Sequence, residues 1–341
     1  MTAETLRYNG AVTDGQNVYL PLAAGELLAL KLATGERVWE ARIEGDWATR
    51  LQVGDEELYV AVSPSPNSSK NTNNSFLAID KRTSEIAWHR SIDEPITSLT
   101  YQRRVGRTGV GRLYVGTAAG SLIAINLATR EQTWKFQSRG AVRSQVNESE
   151  GTVYVGSDDG HLYALDTATG AERWRFETRG AVRARVVVSP DALSVGSFDG
   201  SVYRLDKKTG RQRWSMRTGA AIEAQSVLLN GTLIVASYDN FVYALDPDSG
   251  ALRWRTKLSG RITADPIASG EAVLISVLRA HGVIVLHVKD GKQINSLELG
   301  EEFEIVASPV MAGDMLVLTT DQGTIAAHAA SPWNSSVTAT P

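Results

Sequence analysis

The sequence predicts an all-β protein made of repeated four-stranded antiparallel sheets. Two observations carry this prediction: a tryptophan recurs at a nearly constant interval, and short segments of alternating apolar and polar residues are separated by Asp-Gly or Thr-Gly pairs. Alternation with a period of two, interrupted by such pairs, is typical of β-hairpins. No segment with helical periodicity reaches 12 residues. The recurring residues are Trp39, Trp88, Trp134, Trp174, Trp214 and Trp254.

The residues around these tryptophans recur as well, which indicates an internal repeat. Residues 160–176 read GHLYALDTATGAERWRF, residues 200–216 read GSVYRLDKKTGRQRWSM, and residues 240–256 read NFVYALDPDSGALRWRT. The remaining copies are weaker or truncated, and they cover residues 25–39, 75–88, 120–134, 282–294 and 323–330. The seventh copy has Ile294 at the tryptophan position. The direct count is therefore eight copies.

Each copy is interpreted as four strands joined by tight turns, and the fourth copy illustrates their order. The turn Asp158-Asp159-Gly160 joins the second and third strands. In the next turn, Asp166 is expected to accept a backbone hydrogen bond from two residues on, and Gly170 to take the positive φ that closes the turn. The strands are predicted at residues 142–147, 152–157, 161–166 and 172–177.

Four-stranded units in a long array expose strand edges, and a radial arrangement is the usual way to protect them. The fold class is therefore predicted to be a β-propeller with eight four-stranded antiparallel blades, in a single domain over residues 1–341. A seven-bladed ring is the alternative, if the truncated copies merge where the ring closes. Residues 333–337 are expected to supply a short fourth strand to the last blade.

Composition excludes several classes of protein. The chain has 341 residues, no Cys and a formal net charge of −3, so it has no disulfides, no thiolate metal site and no cysteine nucleophile. Near-neutral charge lacks the electrostatic signature of a nucleic-acid-binding protein. No run approaches 18 apolar residues, so no membrane span is expected, and the first ten residues show no secretory signal. The His residues show no metal-ligand spacing.

The repeated unit Ala164-x-Asp166-x-x-Thr169-Gly170-x-x-x-Trp174 resembles the tryptophan-docking motif of the PQQ-like (pyrroloquinoline-quinone-like) β-propeller repeat family. The resemblance covers almost the whole chain. It implies that the repeated tryptophans dock on the neighbouring blade and have a structural role. A large flat side chain with one N–H suits such a contact.

The resemblance implies a function without a cofactor. Quinone-dependent dehydrogenases of this family resemble one another in a vicinal Cys pair, a catalytic Asp and a calcium site. This chain has no Cys, and its Asp-rich turns lack the ligand spacing of a calcium loop, so neither bound PQQ nor quinoprotein dehydrogenase activity is expected.

In size and blade count the chain is similar to the family's scaffold lipoprotein of outer-membrane assembly. That similarity implies a non-catalytic scaffold that binds other proteins through inter-strand loops, as a monomer in the periplasm or cell envelope. The alternative is a sensor or enzyme propeller that binds a small ligand or PQQ at the mouth of the central channel.

Two insertions interrupt the repeat, and insertions in repeat proteins often lie on the binding face. Residues 63–75 are rich in Ser, Asn and Pro, whereas residues 102–112 carry four arginines and no acidic residue. The second loop is a candidate site for an acidic or phosphate-bearing partner. The alternative is an ordinary solvated loop. The four arginines are Arg103, Arg104, Arg107 and Arg112.

A second group of candidate binding residues lies in the first strand of each blade, the strand expected to line the central channel. Aligning the copies places three arginines beside two acidic residues on neighbouring blades. Such a polar funnel suits a small anion or a polar peptide end. The alternative is an internal ion-pair network, since buried charges need partners. The residues are Arg143, Arg183, Arg185, Glu223 and Asp265.

Overall fold

The part of the chain that the structure describes forms eight consecutive β-sheets, one for each copy counted in the sequence. A computed structural model describes residues 10–22, 25–64, 73–103, 111–262, 264–277, 282–300, 303–321 and 323–328. Within these ranges there is no α-helix, and hence none long enough to cross a membrane. Sequential strands pair antiparallel within each sheet. The all-β prediction is confirmed, and the sheets are the blades of the predicted β-propeller.

Two compact units make up the chain, and the first, Met1–Arg143, contains three sheets. In its second sheet, two short strands, β5 and β6, both pair with β7 where the other sheets have a single first strand. The strands are β1 (Val12–Thr13), β2 (Asn17–Pro21), β3 (Glu26–Lys31), β4 (Arg37–Arg42), β5 (Asp46–Trp47), β6 (Gln52–Val53), β7 (Glu57–Ser63), β8 (Ser75–Asp80), β9 (Ile86–Ser91), β10 (Ile96–Gln102), β11 (Arg112–Thr117), β12 (Ser121–Asn126) and β13 (Glu131–Gln137). A single domain over the whole chain stays a prediction.

The second unit, Ser144–Pro341, contains the remaining five sheets. Its strands are β14 (Asn147–Ser149), β15 (Thr152–Gly156), β16 (His161–Asp166), β17 (Glu172–Glu177), β18 (Val187–Val188), β19 (Ala192–Gly196), β20 (Ser201–Asp206), β21 (Gln212–Arg217), β22 (Val227–Leu229), β23 (Thr232–Ala236), β24 (Phe241–Leu245), β25 (Leu252–Lys257), β26 (Ile267–Ser269), β27 (Ala272–Ser276), β28 (Gly282–His287), β29 (Gln293–Glu298), β30 (Val310–Ala312), β31 (Met315–Thr320) and β32 (Gly323–His328). The predicted strand at residues 333–337 lies outside the described residues.

The turn between the third and fourth strands forms as the repeated motif predicts. Backbone N–H groups of Ala168 and Thr169 donate to Oδ1 of Asp166, each at 3.0 Å, and Gly170 has a φ of 71°. Arg173 donates to the other carboxylate oxygen at 2.6 Å. These hydrogen bonds, that of Arg173 first, lower the pKa of Asp166 to about 2. The same turn recurs around Asp206, where Arg213 donates to the carboxylate at 2.9 Å.

In the first seven sheets, a β-bulge lies close to this turn, where the third strand pairs with the fourth, outer strand. A bulge increases the local twist, and the outer strands are also rich in exposed charged residues, so both features discourage edge-to-edge pairing with other chains. The register shifts lie between Ala29 and Leu30, Ala78 and Ile79, Ala124 and Ile125, Ala164 and Leu165, Arg204 and Leu205, Ala244 and Leu245, and Val285 and Leu286.

The hydrophobic core lies between consecutive sheets rather than within one sheet. Leu162 of the fourth sheet belongs to the same buried cluster as Leu193 and Leu205 of the fifth. The repeated tryptophans border these layers. Trp214 donates from Nε1 to the carbonyl of Pro247 in the next sheet at 3.0 Å, and Trp254 donates to that of Val288 at 2.8 Å.

A tryptophan ring also covers the turn glycine of the following sheet. A Cβ atom at Gly210 meets the ring of Trp174 at 2.5 Å, and one at Gly250 meets the ring of Trp214 at 2.7 Å. The turn glycine therefore has two tasks, because it supplies a positive φ and leaves room for an indole. These contacts explain why the spacing between the glycine and the tryptophan recurs.

In the first unit, the contacts of the repeated tryptophans differ from one sheet to the next. Trp39 donates to the carbonyl of Lys81 in the next sheet at 2.6 Å. Trp88 instead donates to the carboxylate of Glu57 in its own sheet, and the guanidinium of Arg130 lies 5.7 Å from its ring centre. Arg130 has the φ of 61° that a turn glycine has elsewhere. Trp134 is buried and lies against Tyr114, with ring centres 5.8 Å apart.

The first strand of a sheet is shorter than the alternation in the sequence predicts. In the fourth sheet it covers Asn147–Ser149 rather than residues 142–147. The preceding segment makes a backbone hydrogen bond elsewhere: Val142 N–H donates to the carbonyl of Thr117 in the preceding sheet at 3.0 Å. Alternation in this segment reflects burial between sheets, not pairing within one sheet.

Candidate functional site

The structure separates the predicted first-strand cluster into distinct environments. Arg183 and Arg185 lie before β18, Glu223 lies before β22, and Asp265 lies before β26. Arg143, the last residue of the first unit, is exposed. All of them occupy the segments that link one sheet to the next.

Arg183 is held by an acidic side chain that the sequence analysis did not assign to it. Its Nε and Nη2 donate to the two carboxylate oxygens of Asp158 at 2.7 and 3.0 Å. The guanidinium also lies 4.7 Å from the ring centre of Phe198. A planar guanidinium can bind a carboxylate through its edge while an aromatic ring covers its face. Arg183, Asp158 and Phe198 therefore form one interlocked group.

Arg185 has a different environment. Its Nε is buried and has no hydrogen-bond partner among the described residues. Burial lowers the pKa of Arg185, and the negative charge of Asp265 opposes that shift. Asp265 in turn accepts a hydrogen bond from the backbone N–H of Gln225 at 2.7 Å. The positive charge of Arg185 is therefore compensated by the carboxylate of Asp265 without a hydrogen bond between the two side chains.

This difference predicts opposite effects of two similar substitutions. We expect Arg185→Met to raise the free energy of unfolding by about 1 kcal/mol, because it removes a buried N–H without an acceptor. We expect Arg183→Met to lower the free energy of unfolding by about 1–2 kcal/mol, because Asp158 loses the two hydrogen bonds that Arg183 donates. Urea unfolding of both variants measures the two changes. A loss of stability in Arg185→Met equal to that in Arg183→Met contradicts the distinction.

The second position of the turn between the second and third strands differs from copy to copy. The turn reads Ser-Asp-Asp-Gly, Ser-Phe-Asp-Gly and Ser-Tyr-Asp-Asn in the fourth to sixth sheets. We call the group built on these turns the loop cluster. It consists of Asp158, Arg183, Phe198, Tyr238 and Arg261.

Constant residues hold these variable positions in place. Asp199 accepts a hydrogen bond from the hydroxyl of Tyr203 at 2.6 Å and one from the backbone N–H of Arg179 at 3.0 Å. Asp239 likewise accepts from Tyr243 and from the backbone N–H of Gly219, both at 2.6 Å. Each turn is thus attached both to its own sheet and to the preceding loop.

The loop cluster presents a row of aromatic rings and guanidinium groups. The rings of Phe198 and Tyr238 meet edge to face, with centres 6.2 Å apart and an angle of 70° between their planes. Arg261 is exposed, and its guanidinium lies 5.0 Å from the ring centre of Tyr238. Both rings are half-buried. Partly exposed aromatic rings beside arginine have the composition of protein-binding hot spots.

Sequence reasoning named Arg183 but missed Asp158, Phe198, Tyr238 and Arg261 as members of a site. Comparison of the copies contains a signal for three of them, because one position varies within an otherwise constant turn. The pairing of Arg183 with Asp158 has no such signal, since the two residues belong to different sheets.

The arginine-rich insertion is only partly described. Arg103 forms an ion pair with Asp55 at 3.0 Å, and both side chains are mainly exposed. Arg112 begins β11. Arg104 and Arg107 lie outside the described residues, as do residues 65–72 of the other insertion. Arg103 thus has an acidic partner from another loop, which reduces the local positive charge expected for this insertion.

The expectation that this protein binds neither PQQ nor calcium stays a prediction. Across the described ranges, no group of three or more His, Asp or Glu side chains is arranged to hold a metal ion. The whole chain lacks Cys.

Comparison with known proteins supports a family assignment. The family model described as outer membrane protein assembly factor BamB matches residues 3–135, 99–198 and 198–331. Among curated protein sequences, none matches the chain.

Two similar solved structures extend the comparison of folds. The crystal structure of the computationally designed Ika8 protein is 16% identical, with a TM-score of 0.78 over 94% of this chain and 95% of that chain. BamB from Moraxella catarrhalis is 18% identical, with a TM-score of 0.68 over 87% of this chain and 89% of that chain. Identities this low show a shared fold alone. The family-model matches go further, because they cover most of the sequence, and this chain accordingly belongs to the PQQ-like β-propeller repeat family of BamB.

Proposed function

We propose that this protein is a non-catalytic scaffold that binds other proteins through the loop cluster. The observation that carries the proposal is the row formed by Phe198, Tyr238 and Arg261 on the loops of consecutive sheets. Aromatic rings and arginine supply large contact area and directional hydrogen bonds together. Family membership supports protein binding as the general role.

The hydrogen bonds that hold the turns favour this proposal over a loop that orders only on binding. Asp199 and Asp239 each join a turn to the preceding loop. A surface already fixed before contact loses less conformational entropy when a partner binds. The description of the matching family supports outer-membrane protein assembly as the process that the scaffold serves.

A second candidate function is favoured by one observation. Arg185 holds a buried Nε without a hydrogen-bond acceptor among the described residues, in a segment that also faces the charge of Asp265. This environment supports binding of a small polar ligand at the segments between sheets. Thermal melting with added carboxylate ligands tests it, because a specific ligand raises the melting temperature of the native protein and not that of Arg185→Met.

The scaffold proposal is tested with the double variant Phe198→Ala/Tyr238→Ala, used as bait in extracts of the native cells. We expect the double variant to retain at least about tenfold less of each protein that the native bait retains, because truncating a hot spot costs about 2 kcal/mol or more of binding free energy. The matched control is Phe241→Ala, since Phe241 also carries a stacked guanidinium, that of Arg255 at 5.1 Å, but lies on β24. Equal retention by the native bait and the double variant contradicts the proposal.

The arginine-rich insertion provides a separate arm of the same experiment. We expect the triple variant Arg103→Ala/Arg104→Ala/Arg107→Ala to slow association with an acidic partner and to keep the melting temperature, because exposed ion pairs contribute about 0–1 kcal/mol. Binding should weaken as salt rises, since exposed charges are screened over about 8–10 Å. Association that is unaffected by the substitutions excludes this loop from the docking surface.

We also expect no dehydrogenase turnover of alcohols or aldose sugars after the protein is mixed with PQQ and calcium. The lack of Cys and the lack of a carboxylate group suited to calcium in the described residues motivate this expectation. A dye-reduction assay with the pure protein provides the measurement. Turnover above that of free PQQ contradicts the non-catalytic assignment.

A further inference from the structure

We propose that Arg261 receives a carboxylate of the partner protein, so that the partner binds through an acidic segment with a neighbouring apolar side chain. This inference rests on the proposed scaffold function and specifies the chemistry of the partner. The carboxylate would bind the edge of the Arg261 guanidinium, and the apolar side chain would contact the rings of Phe198 and Tyr238.

The protein contains an internal example of the proposed contact. Arg183 lies over the ring of Phe198 and binds both oxygens of Asp158. The ring covers one face of the guanidinium, and the carboxylate uses the N–H groups at its edge. This group shows that a guanidinium stacked on a turn ring of this surface is well placed to bind a carboxylate in a bidentate manner.

Arg261 repeats one half of that arrangement. Its guanidinium lies over Tyr238, much as that of Arg183 lies over Phe198. Arg261 is exposed, and no acidic side chain in the described part of the chain forms an ion pair with it. The edge N–H groups of Arg261 are therefore available to an acceptor from outside the chain. Stacking on Tyr238 restricts the side chain, which reduces the entropy lost on binding.

The remaining chemistry of the surface selects among partners. Phe198 and Tyr238 meet edge to face beside Arg261 and stay partly exposed, so an apolar side chain next to the acidic residue gains contact area. Arg183 neutralises Asp158, so Arg261 leaves the loop cluster with a single net positive charge. One positive charge matches a densely charged phosphate polymer poorly. A protein segment with one or two carboxylates and an apolar neighbour fits better.

The test uses a phage library of random dodecapeptides selected on the full-length protein, so that the probe does not depend on knowing the partner. Selected peptides are synthesised, and their affinity is measured for the native protein, Arg261→Ala and Arg261→Lys. The matched control is Arg255→Ala, because Arg255 stacks in the same way on Phe241, which lies on β24 and is not a member of the loop cluster. Each peptide is also made with its Asp and Glu replaced by Asn and Gln, and inorganic phosphate is added as a competitor.

We expect the selected peptides to share an acidic residue beside an apolar one. Arg261→Ala should weaken their binding by about tenfold or more, since hydrogen bonds to charged groups contribute about 1.5–3 kcal/mol. Arg261→Lys should restore binding only in part, because an ammonium lacks the planar fork. Arg255→Ala should bind as the native protein does, and the amide-substituted peptides should bind weakly to all variants.

The outcomes separate the inference from the proposed function. Peptides that bind the native protein and Arg261→Ala equally, or that lack acidic residues, overturn the inference but leave the scaffold function standing. Displacement by millimolar phosphate as complete as that by excess peptide overturns the choice of a protein carboxylate in favour of a phosphate ligand. Selection of no peptide that needs Phe198 or Tyr238 overturns both proposals.

Discussion

Replacement of Trp174 by Ala is expected to lower the free energy of unfolding by about 3–5 kcal/mol, the usual loss for a large aromatic side chain in a core. Trp174 is partly buried and packs against the buried cluster between the fourth and fifth sheets, and its ring covers Gly210. It also lies against Tyr154, with ring centres 5.9 Å apart. Truncation to Ala leaves a gap that neither sheet fills, because the backbones of both are fixed by their own strand pairing.

Urea unfolding measures the loss, and hydrogen exchange locates it. In a repeat array each unit contacts its neighbours, so the fastest additional exchange should occur in the strands of the fourth and fifth sheets. Trp174→Phe serves as the control, since it retains an aromatic ring and should lose less than half as much stability. Melting of Trp174→Ala within about a degree of the native protein contradicts the inter-sheet role.

Replacement of Gly210 by Ala is expected to lower the free energy of unfolding by about 2–5 kcal/mol through two separate effects. Gly210 has a φ of 69°, a conformation that costs an L-residue about 1–2 kcal/mol. The added methyl group also meets the ring of Trp174 at 2.5 Å, and such overpacking costs about 1–3 kcal/mol.

A second turn glycine provides a matched control, because replacing it adds only the cost of a positive φ and no clash with a tryptophan ring. Gly35 is at the same place in the first copy and has a φ of 71°, but a Cβ atom there meets nothing within 4 Å. Gly35→Ala should therefore cost about 1–2 kcal/mol. In a Trp174→Ala background, Gly210→Ala should cost no more than Gly35→Ala, because the clash has gone. Additive losses in the double variant contradict the contact.

Much of the fold could be predicted because its signals are local. The turn at Asp166 depends on residues within four positions of one another, so its hydrogen bonds and the positive φ of Gly170 follow from the motif. The alternation that marks strands likewise depends on neighbours in the chain. Prediction was wrong for residues 142–146, where an alternating pattern reflects burial between two sheets instead of strand pairing.

The candidate site was harder to predict because its contacts join residues from different copies. Arg183 and Arg185 are alternate residues of one segment and look equivalent in sequence. The structure gives the first a bidentate carboxylate partner and leaves the second with a buried N–H that has no acceptor among the described residues. The packing of this segment against the preceding sheet decides this difference, because Asp158 belongs to that sheet, and residue spacing does not encode it.

Periodicity alone established the all-β class, the number of copies and the position of each turn, because hydrogen bonds within a hairpin join residues close in the chain. Tertiary structure decided what the repeated and the variable residues do. The indole of Trp174 covers Gly210, and Tyr238 lies beside Phe198 and beneath Arg261, through contacts between residues 23 to 40 positions apart. Such contacts depend on how one sheet packs on the next, and packing is set by the shape of both surfaces rather than by the pattern within either one.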